Sequence, residues 1–106
     1  MPNVFEFEDA TFRVGRNARE NWDLIENAEN GDIWLHLHNQ PSCHVMIECK
    51  KEITQKHIIY GGGLCKEYSK CKTKSVSVSA LDAEFVKKGK VVGEAKLLKN
   101  PDLIKI

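Results

Sequence analysis

The first thirty residues show a change from strand-like to helix-like patterning. Residues 4–8 and 11–15 alternate in part between apolar and polar side chains, with two residues between them, so they predict an antiparallel hairpin. Asn17 can cap a helix, because apolar residues then recur at helical spacing between residues 18 and 29. The pair at 30–31, Asn-Gly, is a typical helix stop.

A second hairpin is predicted in the next twenty residues. In residues 32–38 three aliphatic side chains alternate with Trp34, His36 and His38, which predicts a strand with one aliphatic and one aromatic face. A polar turn follows, and residues 44–49 have the pattern of the antiparallel partner strand.

The second half of the chain contains one long helical pattern and several short strands. Residues 53–70 have apolar side chains three or four apart, interrupted by glycines at 61–63, which either break the helix or allow close packing on the sheet. Further strand-like patterns lie at 75–79, 84–86 and 90–98, and Pro101 lies near an end that we expect to fray. The chain therefore predicts an α+β fold, in which a mixed, mostly antiparallel sheet of hairpins carries about two packed helices.

Composition narrows the class of protein. The 106 residues are 42% hydrophobic and 29% charged, which predicts a single globular domain over residues 1–106. The start of the chain has neither the basic residues nor the apolar run of a signal peptide, so we expect a soluble protein of the cytoplasm, with the nucleus as an alternative. The same context predicts that the four cysteines are reduced thiols.

Charge is distributed unevenly along the chain. Residues 1–49 carry three basic and nine acidic side chains, a net −6, whereas residues 50–106 carry thirteen lysines and six acids, a net +7. This polarity hints at an anionic partner, although the two halves could also interleave and mix their charges on the surface.

Three groups of residues are candidates for nucleic-acid contact. Lysines near the end of the second helix and in a later turn could follow a phosphate backbone, and polar residues at the start of the first helix suit phosphate binding. Rings on the second hairpin could stack on bases, or could equally be core. The candidates are Arg16, Asn17, Arg19, Asn21, Asp32, Trp34, His36, His44, Lys66, Lys70, Lys72, Lys74, Lys87, Lys88 and Lys90.

Metal binding and nucleophilic catalysis are weaker hypotheses. His36, His38, Cys43 and His44 could offer zinc ligands, but no Cys-x-x-Cys pair is present. A Cys/His dyad would need Cys43 to meet His36 or His57 in space. We therefore predict neither catalytic residues nor a metal site, and no cofactor.

Several blocks together resemble the NFACT-R domain of ribosome quality-control proteins, in a single-domain form. The similar blocks are residues 14–21, 32–36, 41–45 and, more loosely, 68–69 and 76–78, so that the resemblance covers about residues 12–98. The chain departs from the family pattern where Cys43 is inserted before His44, at the 61–63 glycines, and in the order Trp22-Asp23.

The resemblance implies binding of structured RNA, such as tRNA or ribosomal RNA, in translation quality control and without catalysis. Large relatives carry this domain beside others that engage the large ribosomal subunit and tRNA, and one line of short relatives is linked to DNA. The alternatives are a DNA-binding member of the family, or a protein-interaction module that docks on a ribosome or another complex. No membrane contact is expected, and the pattern leaves the oligomeric state open.

Overall fold

Eight strands, two α-helices and one short 3-10 helix make up residues 3–106, the part of the chain that this computed structural model describes. In chain order they are β1 (Asn3–Phe7), β2 (Ala10–Val14), α1 (Ala18–Glu26), β3 (Ile33–Leu37), β4 (Val45–Cys49), α2 (Gln55–Tyr68), β5 (Ser77–Asp82), the 3-10 helix (Ala83–Phe85), β6 (Val86–Lys88), β7 (Ala95–Leu97) and β8 (Asp102–Lys105). The predicted α+β class, with two helices on a mostly antiparallel sheet, is confirmed.

Six of the strands form one antiparallel sheet in the order β1-β2-β4-β3-β5-β8, and β6 pairs with β7 in a separate ribbon. The helix α2 covers one face of the sheet, while α1 and the β6–β7 ribbon cover the other. Both predicted hairpins are present. The first turns at Glu8 and Asp9, whose φ angles of 50° and 66° give the left-handed backbone that a two-residue hairpin loop requires.

The alternation predicted along β3 separates two cores. Leu35 and Leu37 face α2 in a core whose other members include Phe12, Val45 and Ile47. The opposite face of the sheet buries Trp34 in a smaller core under α1 and the ribbon. Because both faces are covered, most side chains of the central strands are buried, and His36 on β3 is half-buried.

The glycines at 61–63 do not interrupt α2, which runs unbroken through them. A Cβ on Gly61 would lie 2.7 Å from Leu35 Cδ1, and one on Gly62 would lie 2.8 Å from the Ile106 side chain. A Cβ on Gly63 would meet nothing within 4 Å. The glycines therefore allow close packing of the helix and do not break it, and this role belongs to Gly61 and Gly62.

The predicted last strand at 90–98 is wrong in extent. Only Ala95–Leu97 is strand, and residues 89–94 form a turn in which Glu94 accepts a hydrogen bond from the Lys90 backbone and Gly93 has a φ of 93°. Residues beyond Pro101 do not fray: β8 pairs with β5 at the edge of the main sheet, and Ile106 exchanges backbone hydrogen bonds with Val76. Valines 91 and 92 mimic a strand pattern but are exposed at the tip of the turn.

Candidate nucleic-acid interface

Four segments distant in sequence meet at one end of the sheet and enclose a groove of about 270 Å³, here called the end groove. The segments are the start of α1, the loop between β3 and β4, the end of α2 and the β6–β7 turn. The lining residues are Gly15, Arg16, Asn17, Ala18, Asn21, Ser42, Cys43, Tyr68 and Gly93.

Arg16, at the mouth of the end groove, is held by a carboxylate. Its Nε and Nη2 donate to both oxygens of Glu20, the shortest contact being 2.7 Å, and its backbone N–H donates to Glu20 Oε1 at 2.8 Å. These hydrogen bonds lower the pKa of Glu20 to about 2 and raise that of Arg16. The pair therefore stays charged at neutral pH, and a phosphate would have to compete with Glu20 for this guanidinium.

The two asparagines of this segment build the entrance of α1. Asn17 caps the helix, with its Oδ1 accepting from the Glu20 N–H at 2.9 Å, as predicted for that position. Asn21 is buried, and its Oδ1 accepts from the His44 N–H at 3.1 Å. Gly15 makes room for this contact, because a Cβ there would lie 2.0 Å from the same oxygen.

Trp34, His36 and His44 form a set of mutually packed rings, here called the ring cluster. Trp34 stacks on His36 at 5.5 Å between centroids, and His44 meets both rings edge-on. Trp34 Nε1–H donates to His44 Nδ1 at 3.1 Å, so the neutral His44 carries its proton on Nε2. Burial lowers the pKa of His44 to about 3 and also lowers that of His36.

The ring cluster is mostly internal. Trp34 is 3% exposed and His44 is 2% exposed, so neither offers a ring face on which a base could stack. His36 is half-buried, beside a groove of about 350 Å³ whose far wall includes Glu94 and Pro101. The cluster thus supports the surface from below and reaches it only at His36.

Asp32 is likewise buried. Its Oδ2 accepts from the Glu29 N–H at 3.0 Å, and its backbone carbonyl accepts from the Ala83 N–H at 2.8 Å. Burial raises the pKa of this carboxyl. Asp32 stabilises the turn between α1 and β3 and is not among the residues that line the end groove.

The candidate lysines lie in two segments of the chain, one around Tyr68 and the other in and before the turn that holds Gly93. Lys66 is in the last turn of α2, and Lys70, Lys72 and Lys74 follow in the loop. Lys66 Nζ donates to the Lys74 carbonyl at 3.0 Å, which ties this loop back to the helix.

In the second segment, Lys87 and Lys88 lie on β6 and line a separate groove beside the C-terminal end of α1. Lys90 lies in the turn that brings Gly93 against Ala18. Lys88 is committed to Glu26 at 3.4 Å and lies over the Trp22 ring.

Most of the candidate lysines have no ionic partner. Within residues 3–106, five of the seven candidate lysines are exposed and form no ion pair or side-chain hydrogen bond: Lys70, Lys72, Lys74, Lys87 and Lys90. Arg19 is exposed and only loosely paired, with Asp23 at 3.8 Å.

Tyr68, Ser42 and Gly93 were not among the sequence candidates. Tyr68 is 40% exposed at the end of α2, with its ring 5.7 Å from that of Phe5. An exposed aromatic beside Lys66 and Lys70 was a readable signal, whereas the contributions of Ser42 and Gly93 depend on loops that only the tertiary fold brings together.

The weaker hypotheses find no geometry among the described residues. Cys43 contacts Ser69 and Cys65 rather than an imidazole, and His57 binds Thr54 and the Glu8 carbonyl. Across residues 3–106 no group of three or more His, Cys, Asp or Glu side chains is placed to hold a metal ion. Nor does that part of the chain contain a helix long and apolar enough to cross a membrane.

The fold and the end groove define a small α+β binding module with exposed lysines after α2 and on the β6–β7 ribbon. The chain matches the model of the NFACT protein RNA binding domain over residues 3–98, and it belongs to that family. This match confirms the resemblance found in the sequence. The family is described as an RNA-binding domain.

Among solved structures, the chain is similar to the C-terminal part of the fibronectin/fibrinogen-binding protein from Streptococcus suis, with a TM-score of 0.89 and 21% identity. The alignment covers 99% of this chain and 44% of that one, and at this identity it shows the fold alone. The comparison with curated proteins gives no match.

Proposed function

We propose that this domain binds structured RNA, such as tRNA or ribosomal RNA, through its exposed lysines in segments 66–74 and 87–90, and that it acts in a ribosome-associated, cytoplasmic setting without catalysis. The observation that carries the proposal is the set of five exposed lysines without ionic partners in these two segments, in a chain of the NFACT RNA-binding family.

The chemistry of these side chains favours recognition of the backbone rather than of base sequence. Lysine contacts phosphate as a point charge, whereas base reading usually needs the planar fork of an arginine or accessible amides. Arg16 is engaged with Glu20, and Trp34 and His44 are inside the fold. We assign Trp34, His44, Asn21 and Asp32 to shaping the surface, and His36 and Tyr68 to its accessible edge.

The test is a titration of the full chain with tRNA at several salt concentrations. Replacing all three of Lys70, Lys72 and Lys74 by glutamine should weaken binding by about 10- to 100-fold, because their phosphate contacts are lost. Each such contact contributes up to about one unit to the dependence of log affinity on log salt. The slope of log affinity against log salt should fall by about two to three units.

A matched control is available at the opposite end of the molecule. Lys50, Lys51 and Lys56 lie beyond β4 and at the start of α2, near the Glu8–Asp9 turn, so their triple glutamine variant removes the same charge from a distant surface. If both variants lose affinity equally, the attraction is non-specific and the proposed surface is wrong.

A second titration separates RNA from the alternative partners. A DNA duplex and an unrelated anionic polymer of equal charge are titrated beside tRNA, which we expect to bind more tightly than either. Docking on a protein surface would instead give binding to ribosomes or another complex that the Lys70/Lys72/Lys74 variant leaves intact and that salt hardly affects.

A further inference from the structure

Two thiols and two hydroxyls meet at the floor of the end groove. Cys43 Sγ lies 3.6 Å from the Cys65 carbonyl, and Cys65 Sγ lies 3.6 Å from the Cys43 carbonyl. Each thiol therefore lies against the backbone of the other cysteine. Ser42 Oγ is 3.3 Å from Cys65 Sγ, and Ser69 Oγ donates to Cys43 Sγ at 3.4 Å.

We propose that Cys43 and Cys65 form an oxidisable dithiol, which hydrogen peroxide or a related hydroperoxide converts to an intramolecular disulfide. The pair joins the loop between β3 and β4 to the last turns of α2.

The two sulfurs differ in access and in proton affinity. Cys43 is half-buried and lines the end groove, whereas Cys65 is fully buried behind it. Hydrogen bonds from Cys65 and Ser69 lower the pKa of the Cys43 thiol to about 7, while the Cys65 thiol, as the donor, has a raised pKa. Cys43 is therefore the thiolate that meets the oxidant, and Cys65 is the resolving thiol.

The reaction has two displacements. The Cys43 thiolate attacks one peroxide oxygen, an S–O bond forms, the O–O bond breaks, and the departing hydroxide takes up the proton that Cys43 released, which gives water. The Cys65 sulfur then attacks the sulfenic sulfur, the S–S bond forms, the S–O bond breaks, and a second water leaves with the Cys65 proton. Two thiols are oxidised by two electrons in total, and one peroxide is reduced to two waters.

The other two cysteines provide internal controls. Cys49 Sγ donates to the Asp9 carbonyl at 3.6 Å, and Cys71 Sγ lies 3.1 Å from Thr73 Oγ1, so neither is engaged with another thiol in the described contacts. Cys49→Ser and Cys71→Ser should therefore leave the reaction unchanged, whereas Cys43→Ser and Cys65→Ser should abolish it.

The experiment treats the reduced full chain with hydrogen peroxide and measures its intact mass without reductant. The wild type should lose the mass of two hydrogen atoms and remain monomeric. Trypsin should then release residues 20–50 linked to residues 57–66. Because the first peptide holds both Cys43 and Cys49, the persistence of the link in Cys49→Ser assigns it to Cys43.

A trapping experiment with Cys65→Ala covers the case in which Cys65→Ser does not fold, and circular dichroism checks both variants. Without the resolving thiol, a dione reagent should label Cys43 as the sulfenic acid, whereas the peroxide-treated wild type should escape the label. Oxygen addition to wild-type Cys43 without the linked peptide, or the same link in Cys43→Ser, would overturn the proposal. No RNA enters the assay, so its outcome is separate from that of the proposed function.

Discussion

Replacing Gly61 or Gly63 by alanine separates two effects of glycine within α2: its low helix propensity, and the absence of a side chain that would contact the sheet. Both positions lie inside the helix, so either substitution gains about 0.5–1 kcal/mol from the better helix propensity of alanine. At Gly63 the new Cβ meets nothing within 4 Å, and Gly63→Ala should raise the free energy of unfolding by that amount.

At Gly61 the same gain is opposed by overpacking. The new Cβ would lie 2.7 Å from Leu35 Cδ1 and 3.2 Å from Ile47 Cδ1, and both side chains are fully buried. Overpacking of this kind costs about 1–3 kcal/mol, so Gly61→Ala should be between neutral and about 2.5 kcal/mol less stable than the wild type.

Urea unfolding followed by circular dichroism measures the difference between the two variants, in which the propensity gain cancels. We expect Gly61→Ala to be less stable than Gly63→Ala by about 1–3 kcal/mol, with an unchanged dependence on urea. Gly62→Ala should fall between them, because the Ile106 side chain that its Cβ would meet is only partly buried. Equal stability of the Gly61 and Gly63 variants would refute the close helix–sheet packing inferred here.

Three further predictions follow from single contacts. The pKa of His44 is about 3 in the folded protein and near 6.5 when unfolded, so the unfolded state takes up a proton first as pH falls, and acidification from pH 7 to 5 should lower the unfolding free energy by about 2 kcal/mol. His44→Gln should lose this part of the pH dependence in urea titrations at the two pH values. Asn17→Ala should lose about 1 kcal/mol of stability with its cap, and Asn17→Ser should restore most of it in the same assay. Alkylation of Cys43 by iodoacetamide should reach half its maximal rate near pH 7, and in Cys65→Ala, which removes the main hydrogen-bond donor, this midpoint should move to higher pH as read by peptide mass.

The elements that sequence patterning located are those that bury one regular face. The β3 alternation was correct because Leu35 and Leu37 face one core while Trp34 faces the other. The strand predicted at 90–98 was too long because two exposed valines continue an apolar pattern through a turn. The strand β8 was missed because four residues after a proline carry too little pattern. Local sequence also could not distinguish a glycine break in α2 from close packing, since the deciding neighbours are on the sheet.

Single elements around the end groove could be predicted from the sequence, but their assembly could not. The helix start at Asn17 follows from capping chemistry, and an exposed Lys70 follows from its place after a helix. The end groove requires the β6–β7 turn to reach α1, where Gly93 approaches Ala18. No local pattern contains that distance, and the same is true of the contact between Cys43 and Cys65, which are twenty-two residues apart.

The pairing of charges explains why a nearly neutral chain can still bind an anion. The halves of opposite charge do interleave in one sheet, yet Arg13, Arg16 and Arg19 each pair with an acid from their own acidic half. Within residues 3–106, two of the thirteen lysines form ion pairs, and both partners are acids of the first half. The acidic half thus pairs with its own arginines, the side chains best suited to reading bases, and leaves most of the lysines without an ionic partner. If RNA is the partner, its affinity should accordingly come from phosphate contacts, and its selectivity from whether the spacing of those phosphates fits the two lysine segments, 66–74 and 87–90.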